Sequence, residues 1–241
     1  MDLSGNKILI TGGTSGIGFE LGKELLSRGN EVILLGRNEA KLNEARRQGF
    51  FTLQCDLSKV EEIEDTVVKI QNQHPDLNML FNNAGVQYNY LFCDEVVSPK
   101  RIDEEVQINL VGQLILTQQL LPVLRNNQKA YIINTTSGLG AFPKTDGLVY
   151  SVSKAAMRNF SKGLKYSLKG TSVKVFEFIP PVTDTGMTHG RGEKKMDAGQ
   201  LVRMALKQLE KERKVITVPI MRVFLVIAFF FPAFADRILS K

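Results

Sequence analysis

Short apolar runs of strand length alternate with stretches of helical periodicity from the first residues of this chain to about residue 218. Parallel strands joined by helical crossovers produce such a pattern, because the strands are buried on both faces and the helices cover them. The chain is therefore predicted to be α/β, with a parallel sheet covered on both faces. The expected strands are Lys7–Thr11, Glu31–Leu35, Phe50–Gln54, Met79–Asn82, Tyr131–Thr135, Val173–Ile179 and Val215–Val218. The expected helices lie near Gly16–Arg28, Glu39–Arg47, Val60–Gln73, Arg101–Leu121, Leu148–Leu168 and Leu201–Arg213.

No linker rich in proline, glycine or serine and no internal repeat interrupts this alternation. We therefore predict one domain over residues 1–218 and an apolar helical tail over residues 219–241. A chain of 241 residues, 43% hydrophobic and 23% charged, can bury a sizeable core, as globular domains do. Its net charge of +6 is compatible with an anionic ligand or an acidic membrane surface and selects neither.

Several classes of function find no support in the sequence. No basic run with interleaved aromatic residues indicates a nucleic-acid partner. Cys55 and Cys93 follow no metal or disulfide spacing, and neither His74 nor His189 has a ligand-like neighbour, so no metal site is expected. The apolar run Ile8–Ile10 is too short for a signal peptide, and we expect the chain in the cytoplasm.

The first strand is followed by a glycine-rich turn, residues 11–18, which opens the first helix. Gly12 allows the tight turn, Gly16 lets the backbone approach a pyrophosphate, and Gly18 permits close packing of helix on sheet. Backbone amides at the start of the helix would hold the phosphates. An ordinary turn is the alternative, but three glycines at this spacing between strand and helix favour a dinucleotide site. The predicted contacts are Gly12, Thr14, Ser15, Gly16, Ile17 and Gly18.

The end of the second strand bears on the choice of dinucleotide. An acidic residue there binds the ribose hydroxyls of NAD, whereas here Gly36 is followed by Arg37. Arg37 could pair with a 2′-phosphate, so NADP is favoured over NAD, unless Arg37 is simply a solvated residue at a helix start. Asp56 ends the third strand, where it could accept a hydrogen bond from the adenine amino group or cap the next helix.

Small and polar residues follow the fourth strand. Asn83, Ala84 and Gly85 would let the chain pass under the cofactor, and asparagine amides could tie neighbouring strands together; a simple turn is the alternative. Asn109 lies in an apolar stretch of the next helix and needs a partner there. It is either a satisfied structural amide or part of a catalytic water chain. Apolar residues occur on all sides of this helix, which is compatible with a homodimer or homotetramer and equally with burial under the sheet.

The fifth strand runs into Ser137, at the strand end where open α/β sheets place ligands. Thirteen residues later comes Tyr150, which alone among the five tyrosines has a lysine, Lys154, four positions on. A four-residue spacing on a helix puts both side chains on one face. Bringing a phenol from pKa near 10 to about 7 takes roughly 4 kcal/mol of preferential stabilisation of the phenolate, and an adjacent ammonium supplies part of it. The pair is suited to exchanging a proton with an alcohol or carbonyl, although an exposed surface pair would show the same spacing.

Taken in order, the glycine turn, Asn82–Gly85, Asn109, Ser137 and the pair Tyr150 and Lys154 resemble the short-chain dehydrogenase/reductase family, in its single-domain branch. The resemblance implies a Rossmann-like, doubly wound, seven-stranded parallel sheet. It also implies that Tyr150 is the general acid or base and that Lys154 lowers its pKa and binds the nicotinamide ribose. Ser137 would bind the reacting oxygen, and Asn109 would position a water that relays protons. Pro180, Thr183 and Thr185 match the segment beside the nicotinamide, with Thr185 on the carboxamide.

One position departs from the family pattern. Where the family has Pro-Gly after the sixth strand, this chain has Pro180-Pro181, and the second proline removes an amide donor and fixes φ beside the nicotinamide pocket. With the Asp-Thr-Gly that follows at 184–186, this segment resembles a bacterial subgroup related to the oxidoreductase of the D-alanyl-teichoic-acid (Dlt) operon. That resemblance names no substrate.

Two segments after the sixth strand bear on substrate access. Residues 186–200 are polar and glycine-bearing, which is typical of a mobile lid or of a plain surface loop; His189 and Arg191 could meet an anionic substrate. Residues 223–235 carry no polar side chain, yet are too short to span a bilayer as a helix. This tail could pack on the sheet or a partner subunit, lie at a membrane surface through residues 220–235, or border the substrate site.

We therefore expect an NADP-dependent oxidoreductase that interconverts an alcohol and a carbonyl, with a small-molecule substrate that the sequence does not identify. It would be cytoplasmic or peripheral at a membrane. The alternative is a catalytically silent NADP-binding sensor or scaffold protein. The complete set Asn109, Ser137, Tyr150 and Lys154 argues against it, and Pro181 is the feature that favours it.

Overall fold

The computed structural model describes residues 1–190 and 194–234. Within these residues, seven strands form one parallel sheet in the order β3-β2-β1-β4-β5-β6-β7. The predicted α/β class and the doubly wound parallel sheet are thereby confirmed. The strands are β1 Lys7–Thr11, β2 Glu31–Gly36, β3 Phe51–Gln54, β4 Met79–Asn82, β5 Ala130–Thr135, β6 Val173–Ile179 and β7 Val215–Thr217.

Eight α-helices accompany the strands in the described part of the chain. They are α1 Gly16–Leu26, α2 Glu39–Arg47, α3 Val60–Gln73, α4 Pro99–Val106, α5 Gly112–Arg125, α6 Leu148–Ser167, α7 Ala198–Glu210 and α8 Pro219–Phe230. Predicted and observed strands agree to within one residue at each end. Helix α7 begins three residues earlier than expected because Asp197 caps it, accepting a hydrogen bond from the Gln200 amide at 2.7 Å.

The core consists of two layers, one on each face of the sheet. Successive residues of β1 point to opposite layers: Ile8 and Ile10 pack with α1 and α7, whereas Leu9 packs with α3 and α5. Side chains on both faces of the central strands are fully buried, which explains why these strands read as continuous apolar runs. The sheet is thus held between two helical layers, and its strand ends form a fixed platform.

The helix expected over Arg101–Leu121 is longer and is interrupted. It starts at Pro99, because Ser98 caps it and proline suits a first helical position, and α4 gives way to a π-helical turn at Gln107–Val111 before α5 continues to Arg125. Single π-turns inside helices are frequently found at functional sites. This one carries Asn109.

The tail forms a helix that begins at Pro219 and ends before Phe231, one residue ahead of Pro232, whose ring cannot continue a helix. Met221 packs against the sheet core, and Phe224 and Ala228 pack with Phe142. No helix among the described residues has the length and apolar character needed to cross a bilayer.

The strand order reverses direction between β1 and β4. Ile10 pairs with Phe81 of β4, and Asn82 pairs with Asn134 of β5, so the carboxyl ends of these strands lie level with one another. Open α/β sheets bind ligands in the crevice at this reversal. The glycine turn after β1 and the segment after β4 face each other across it.

Candidate active site

The turn after β1 has the backbone conformation that glycine permits. Gly12 and Gly16 have φ values of +62° and +53°, a left-handed region that other residues rarely adopt. A Cβ atom on Gly18 would lie 2.4 Å from the carbonyl oxygen of Gly12, so only glycine fits there. Gly12, Thr14 and Ser15 line a cavity of about 220 Å³, and Gly12, Ser15, Gly16 and Ile17 line an adjoining cavity of about 470 Å³.

The segment after β4 is fixed against this turn by Thr11. The Thr11 hydroxyl oxygen accepts hydrogen bonds from the amides of Asn83 and Ala84, each at 2.9 Å, and the Asn83 side-chain amide donates to the Thr11 carbonyl at 3.1 Å. A Cβ on Gly12 would lie 2.8 Å from the Cα of Ala84, so the two segments nearly touch. Ala84 and Gly85 line both cavities, and Asn83 lines the larger one. This arrangement fits an extended dinucleotide lying across the crevice.

Asparagine amides also tie the strands together, as expected for this segment. Asn82 donates from its side chain to Asn134 and to Thr117, both at 2.8 Å, and Asn134 donates to Ser161 at 2.8 Å. These buried bonds link β4 to β5, α5 and α6. Since buried hydrogen-bonded groups are costly to separate, they fix the strand ends relative to α6.

Arg37 lines the smaller cavity but its guanidinium is already paired. It donates to Oε1 of Glu104 at 3.0 Å and lies 3.6 Å from Oδ2 of Asp56. The hydroxyl of Tyr88 also donates to Glu104, and these hydrogen bonds from Tyr88 and Arg37 lower the pKa of the Glu104 carboxyl. Asp56 accepts hydrogen bonds from the amide and hydroxyl of Ser58 and so shapes a turn. Asp56 does not cap α3, because the N-cap position of that helix is Lys59.

Lys154 is buried on α6, and its ammonium group donates to the carbonyl oxygen of Thr135, at the end of β5, at 3.0 Å. Burial lowers the pKa of this ammonium to about 8. Its Nζ atom lies 5.6 Å from the centre of the Tyr150 ring, one helical turn earlier. Both side chains line the larger cavity together with Pro180 and Thr185. The four-residue spacing therefore places phenol and ammonium side by side, beyond the glycine turn.

A third, mainly apolar cavity of about 330 Å³ is also lined by Tyr150. Ser137 lines it, and the hydroxyl oxygen of Ser137 accepts from the amide of Leu139, which caps a short 3-10 helix at Gly138–Gly140. Ser137 and Tyr150 are thus brought to one cavity. The apolar lining comes from Leu139, Pro181, Val182, Met187, Met221 and Phe224.

Asn109 is fully buried in the π-helical turn and lines neither the cavity of about 220 Å³ nor that of about 470 Å³. Its side chain accepts from the Val86 amide and donates to the Val86 carbonyl, both at 2.8 Å, and donates to Ser153 at 3.2 Å. A Cβ on Gly85 would meet Asn109 Oδ1 at 3.3 Å and Lys154 Nζ at 3.5 Å, so Gly85 lies between the two. The structure therefore gives Asn109 a clear role in holding the chain after β4.

One turn before Asn109, Glu105 is also fully buried. One of its carboxylate oxygens accepts from the Tyr88 amide at 3.2 Å, and burial raises the pKa of this carboxyl to about 7. Glu105 and Asn109 together hold residues 86–88, which line the larger cavity. Reading the sequence missed Glu105, although a carboxylate four residues before Asn109 on one helix face was a usable signal.

The segment after β6 lies between the cavity of about 470 Å³ and the apolar cavity of about 330 Å³. Pro180 lines both, whereas Pro181 and the buried Thr183 line the apolar one. The Thr183 hydroxyl donates to the Pro181 carbonyl at 2.8 Å, and the Thr188 hydroxyl donates to the Thr183 carbonyl at 2.6 Å. Thr185 faces Gly16, since a Cβ atom on Gly16 would lie 3.1 Å from the methyl group of Thr185. The second proline thus contributes to the apolar cavity.

Of the expected lid, residues 186–190 and 194–200 are described. They contain a 3-10 helix at Gly186–Thr188, and Met196 forms a parallel bridge with Thr183, which precedes this segment. Met187 borders the cavity of about 470 Å³ and the apolar cavity. His189 is exposed, and Arg191 lies outside the described residues. Within the described residues no cluster of three His, Cys, Asp or Glu side chains is placed to hold a metal ion.

Further lining residues were not foreseen from the sequence. Lys41 of α2 lines the cavities of about 220 and 470 Å³, and Gln87 lines the larger one. Met221 and Phe224 of the tail helix line the apolar cavity, and contact of the tail with the substrate site is only one of the three alternatives that the sequence leaves open. Only long-range packing brings these side chains to the site, and no local pattern marks them.

Comparison with known proteins agrees with this geometry. A family model described as short chain dehydrogenase matches residues 6–196. An uncharacterised oxidoreductase of Bacillus subtilis, DltE, is 38% identical over 196 residues, which is 80% of this chain and 78% of that protein. A very-long-chain 3-oxoacyl-CoA reductase of Anas platyrhynchos is 31% identical over 189 residues, 75% of this chain and 60% of that protein.

Solved structures share the whole fold. A short chain dehydrogenase of Burkholderia cenocepacia in complex with NADP superimposes with a TM-score of 0.89 at 23% identity, covering 100% of both chains. A related protein of Burkholderia phymatum in complex with NAD has a TM-score of 0.85 at 19% identity, covering 100% of this chain and 97% of the other. The similarity to DltE confirms the resemblance drawn from Pro180-Pro181, and the family match spans most of the chain. The chain belongs to the short-chain dehydrogenase family of oxidoreductases.

Proposed function

We propose that this protein is an NADP-dependent oxidoreductase that interconverts an alcohol and a carbonyl, with Tyr150 as general acid and base. The observation that supports it most directly is the placement of Tyr150. It lines the cavity that starts at the glycine turn and also the apolar cavity that contains Ser137. A group at the boundary between a cofactor cavity and a substrate cavity is positioned to exchange a proton with the reacting oxygen.

The residues around Tyr150 have distinct tasks in this proposal. A bound dinucleotide supplies or accepts the hydride. The Lys154 ammonium, charged below its pKa of about 8, favours the phenolate form of the neighbouring Tyr150. Ser137 offers a hydroxyl to the oxygen of the substrate, and Asn109 keeps the chain at Val86 in place.

We assign cofactor selectivity to two cationic side chains, Arg37 just after β2 and Lys41 in α2. Arg37 and Lys41 both line the cavity below the glycine turn, and a 2′-phosphate there would accept charge-assisted hydrogen bonds from them. Asp56 and Glu104 compete for Arg37, so the preference for NADP over NAD is expected to be moderate. The structural neighbours named above include one complex with NADP and one with NAD.

The substrate is proposed to carry an apolar group next to its carbonyl or alcohol carbon. The cavity beside Ser137 is lined mainly by proline, aliphatic, methionine and phenylalanine side chains, which favour burial of apolar surface. A relative named for reducing very-long-chain 3-oxoacyl groups is compatible with such a cavity. The cytoplasmic location and the homodimer or homotetramer expected from the sequence stay predictions.

Substitution of Tyr150 by phenylalanine tests the proposal. Tyr150→Phe keeps the ring and removes the proton, so the variant should bind NADPH with unchanged affinity, measured by nucleotide fluorescence. Its oxidation of NADPH with a panel of diketones, quinones, aldehydes and oxo-lipids should fall by at least about a hundredfold. An undiminished rate would contradict the assignment. Binding of NADPH by the wild-type protein without turnover of any carbonyl would favour a sensor or scaffold.

A further inference from the structure

The tail exposes an unusually apolar surface, which we call the tail apolar face. Its members are large hydrophobic residues, each between 53% and 81% exposed: Ile220, Val223, Val226, Phe229, Phe230, Phe231 and Phe234. They occupy the outer side of α8 and the residues that follow it, while Met221, Phe224 and Ala228 on the inner side pack on the protein. Large contiguous apolar patches of this kind mark interaction surfaces rather than ordinary solvent-exposed surface.

A groove with a cationic rim lies directly beside this face. It has a volume of about 430 Å³ and contains Pro219 and Val223 of α8. Its charged lining residues are all basic, namely Lys207, Lys211, Arg213 and Arg222. The nearby carboxylates form ion pairs with cations outside the groove: Glu210 pairs with Arg28 at 2.6 Å and Glu212 with Lys174 at 2.7 Å. Among the described residues, the groove therefore presents positive charge without a paired carboxylate, next to exposed phenylalanines.

We propose that the tail apolar face and the basic groove together dock the protein on an anionic lipid bilayer. Exposed aromatic and aliphatic side chains enter the boundary between headgroups and acyl chains, and neighbouring lysines and arginines attract anionic headgroups. Charge complementarity selects this occupant over a second copy of the chain. A two-fold symmetric contact would bring the same basic groove of each copy to the interface, where like charges repel.

The inner side of the same helix connects this surface to the proposed chemistry. Met221 and Phe224 line the apolar cavity that contains Ser137 and Tyr150, so one helix has the bilayer on its outer side and the cavity on its inner side. If the proposed function holds, the substrate class is an amphiphilic carbonyl or alcohol that enters from the bilayer. The docking itself does not depend on catalysis.

Co-sedimentation of the full chain with vesicles tests the docking. Vesicles rich in phosphatidylglycerol should bind the protein at least about tenfold more tightly than vesicles of phosphatidylcholine alone, and added salt should reduce the difference. The double substitution Lys207→Gln with Lys211→Gln should lower the affinity for anionic vesicles at least about tenfold and leave the affinity for phosphatidylcholine vesicles unchanged. Phe229→Ser with Phe230→Ser should weaken binding to both kinds. Phe51→Ser, which removes an exposed phenylalanine at the opposite edge of the sheet, is the matched control and should change neither.

Absence of vesicle binding by the wild-type chain would overturn the proposal. So would a wild-type dimer that the Phe229→Ser, Phe230→Ser variant converts to a monomer, because the face would then belong to a second copy. The Tyr150→Phe protein should still bind vesicles, which separates docking from catalysis. In turnover assays, the Phe229→Ser, Phe230→Ser variant should lose activity on a carbonyl dissolved in vesicles and keep its activity on a water-soluble carbonyl. Equal losses of activity on both carbonyls would overturn entry of the substrate from the bilayer.

Discussion

The guanidinium of Arg37 donates a hydrogen bond to Glu104 at 3.0 Å, which joins the end of β2 to helix α4. The same Glu104 accepts from the hydroxyl of Tyr88 at 2.8 Å, beside the larger cavity. An anion that approaches Arg37 must therefore compete with a carboxylate that is already in place. We therefore expect nucleotide selectivity in this protein to depend on α4 as well as on the residue after β2.

Substitution of Glu104 should increase the preference for NADPH. Glu104→Gln frees Arg37 from one carboxylate, and because the pair is partly exposed the gain in kcat/KM for NADPH over NADH should be at most about fivefold. Arg37→Ala should lower the same ratio by roughly tenfold or more, as loss of a charge-assisted hydrogen bond predicts. Glu64→Gln, which makes the same change in net charge on an exposed position of α3, should leave the ratio unchanged.

The glycine turn should tolerate no side chain at Gly18. In Gly18→Ala the new methyl would lie 2.4 Å from the Gly12 carbonyl oxygen and 2.5 Å from the Asn83 side chain, so the turn must shift. We expect dinucleotide affinity to fall by at least about tenfold, measured by fluorescence titration. Gly163→Ala on α6 is the matched control, because no atom lies within 4 Å of the added methyl. It should raise the free energy of unfolding by about 0.5–1 kcal/mol and leave nucleotide binding intact.

Asn109 should contribute to stability as well as to activity. Asn109→Ala leaves the amide and carbonyl of Val86 without partners inside the protein, which should cost about 2–4 kcal/mol in the free energy of unfolding. Denaturant titration measures this loss, and Asn159→Ala, at an exposed asparagine of α6, should lose far less. If the two variants proved equally stable, the holding role of Asn109 would be wrong.

Lys154 should give stability a characteristic pH dependence. Burial lowers the pKa of its ammonium in the folded state to about 8, below the ordinary value of 10.5, so the unfolded chain binds more protons between these values. The folded state therefore bears the cost of a buried charge below about pH 8, and that cost disappears as the pH rises towards 10. Relative to Lys154→Met, the wild-type protein should gain stability over this range, and the difference between their Tm values should change by several degrees. Parallel pH curves for the two proteins would refute the shift.

The regular part of the fold could be predicted from the sequence because burial on both faces dictates continuous apolar strands. The position of the glycine turn and the spacing of Tyr150 and Lys154 are local features, and the structure places them at one crevice as expected.

Other features depend on contacts between residues far apart in the chain. The sequence around Arg37 shows no partner for its guanidinium, yet Glu104, 67 positions later, pairs with it. The π-helical turn at Gln107–Val111 has no local signature in the sequence. In the tail, hydrophobicity was evident, but the division into a face that borders the cavity and a face that points outward arises only when α8 packs on Phe142.

Helix α4 and the turn that follows it hold both ends of the crevice. Glu104 contacts Arg37 near the end of β2, while Glu105 and Asn109 hold residues 86–88 near Tyr150 and Lys154. A substitution that displaces this helix alters both ends together. A redesign of α4 for another nucleotide should therefore also change which carbonyl or alcohol compounds the protein accepts. Nucleotide preference and reactant range should be re-optimised in the same round of engineering.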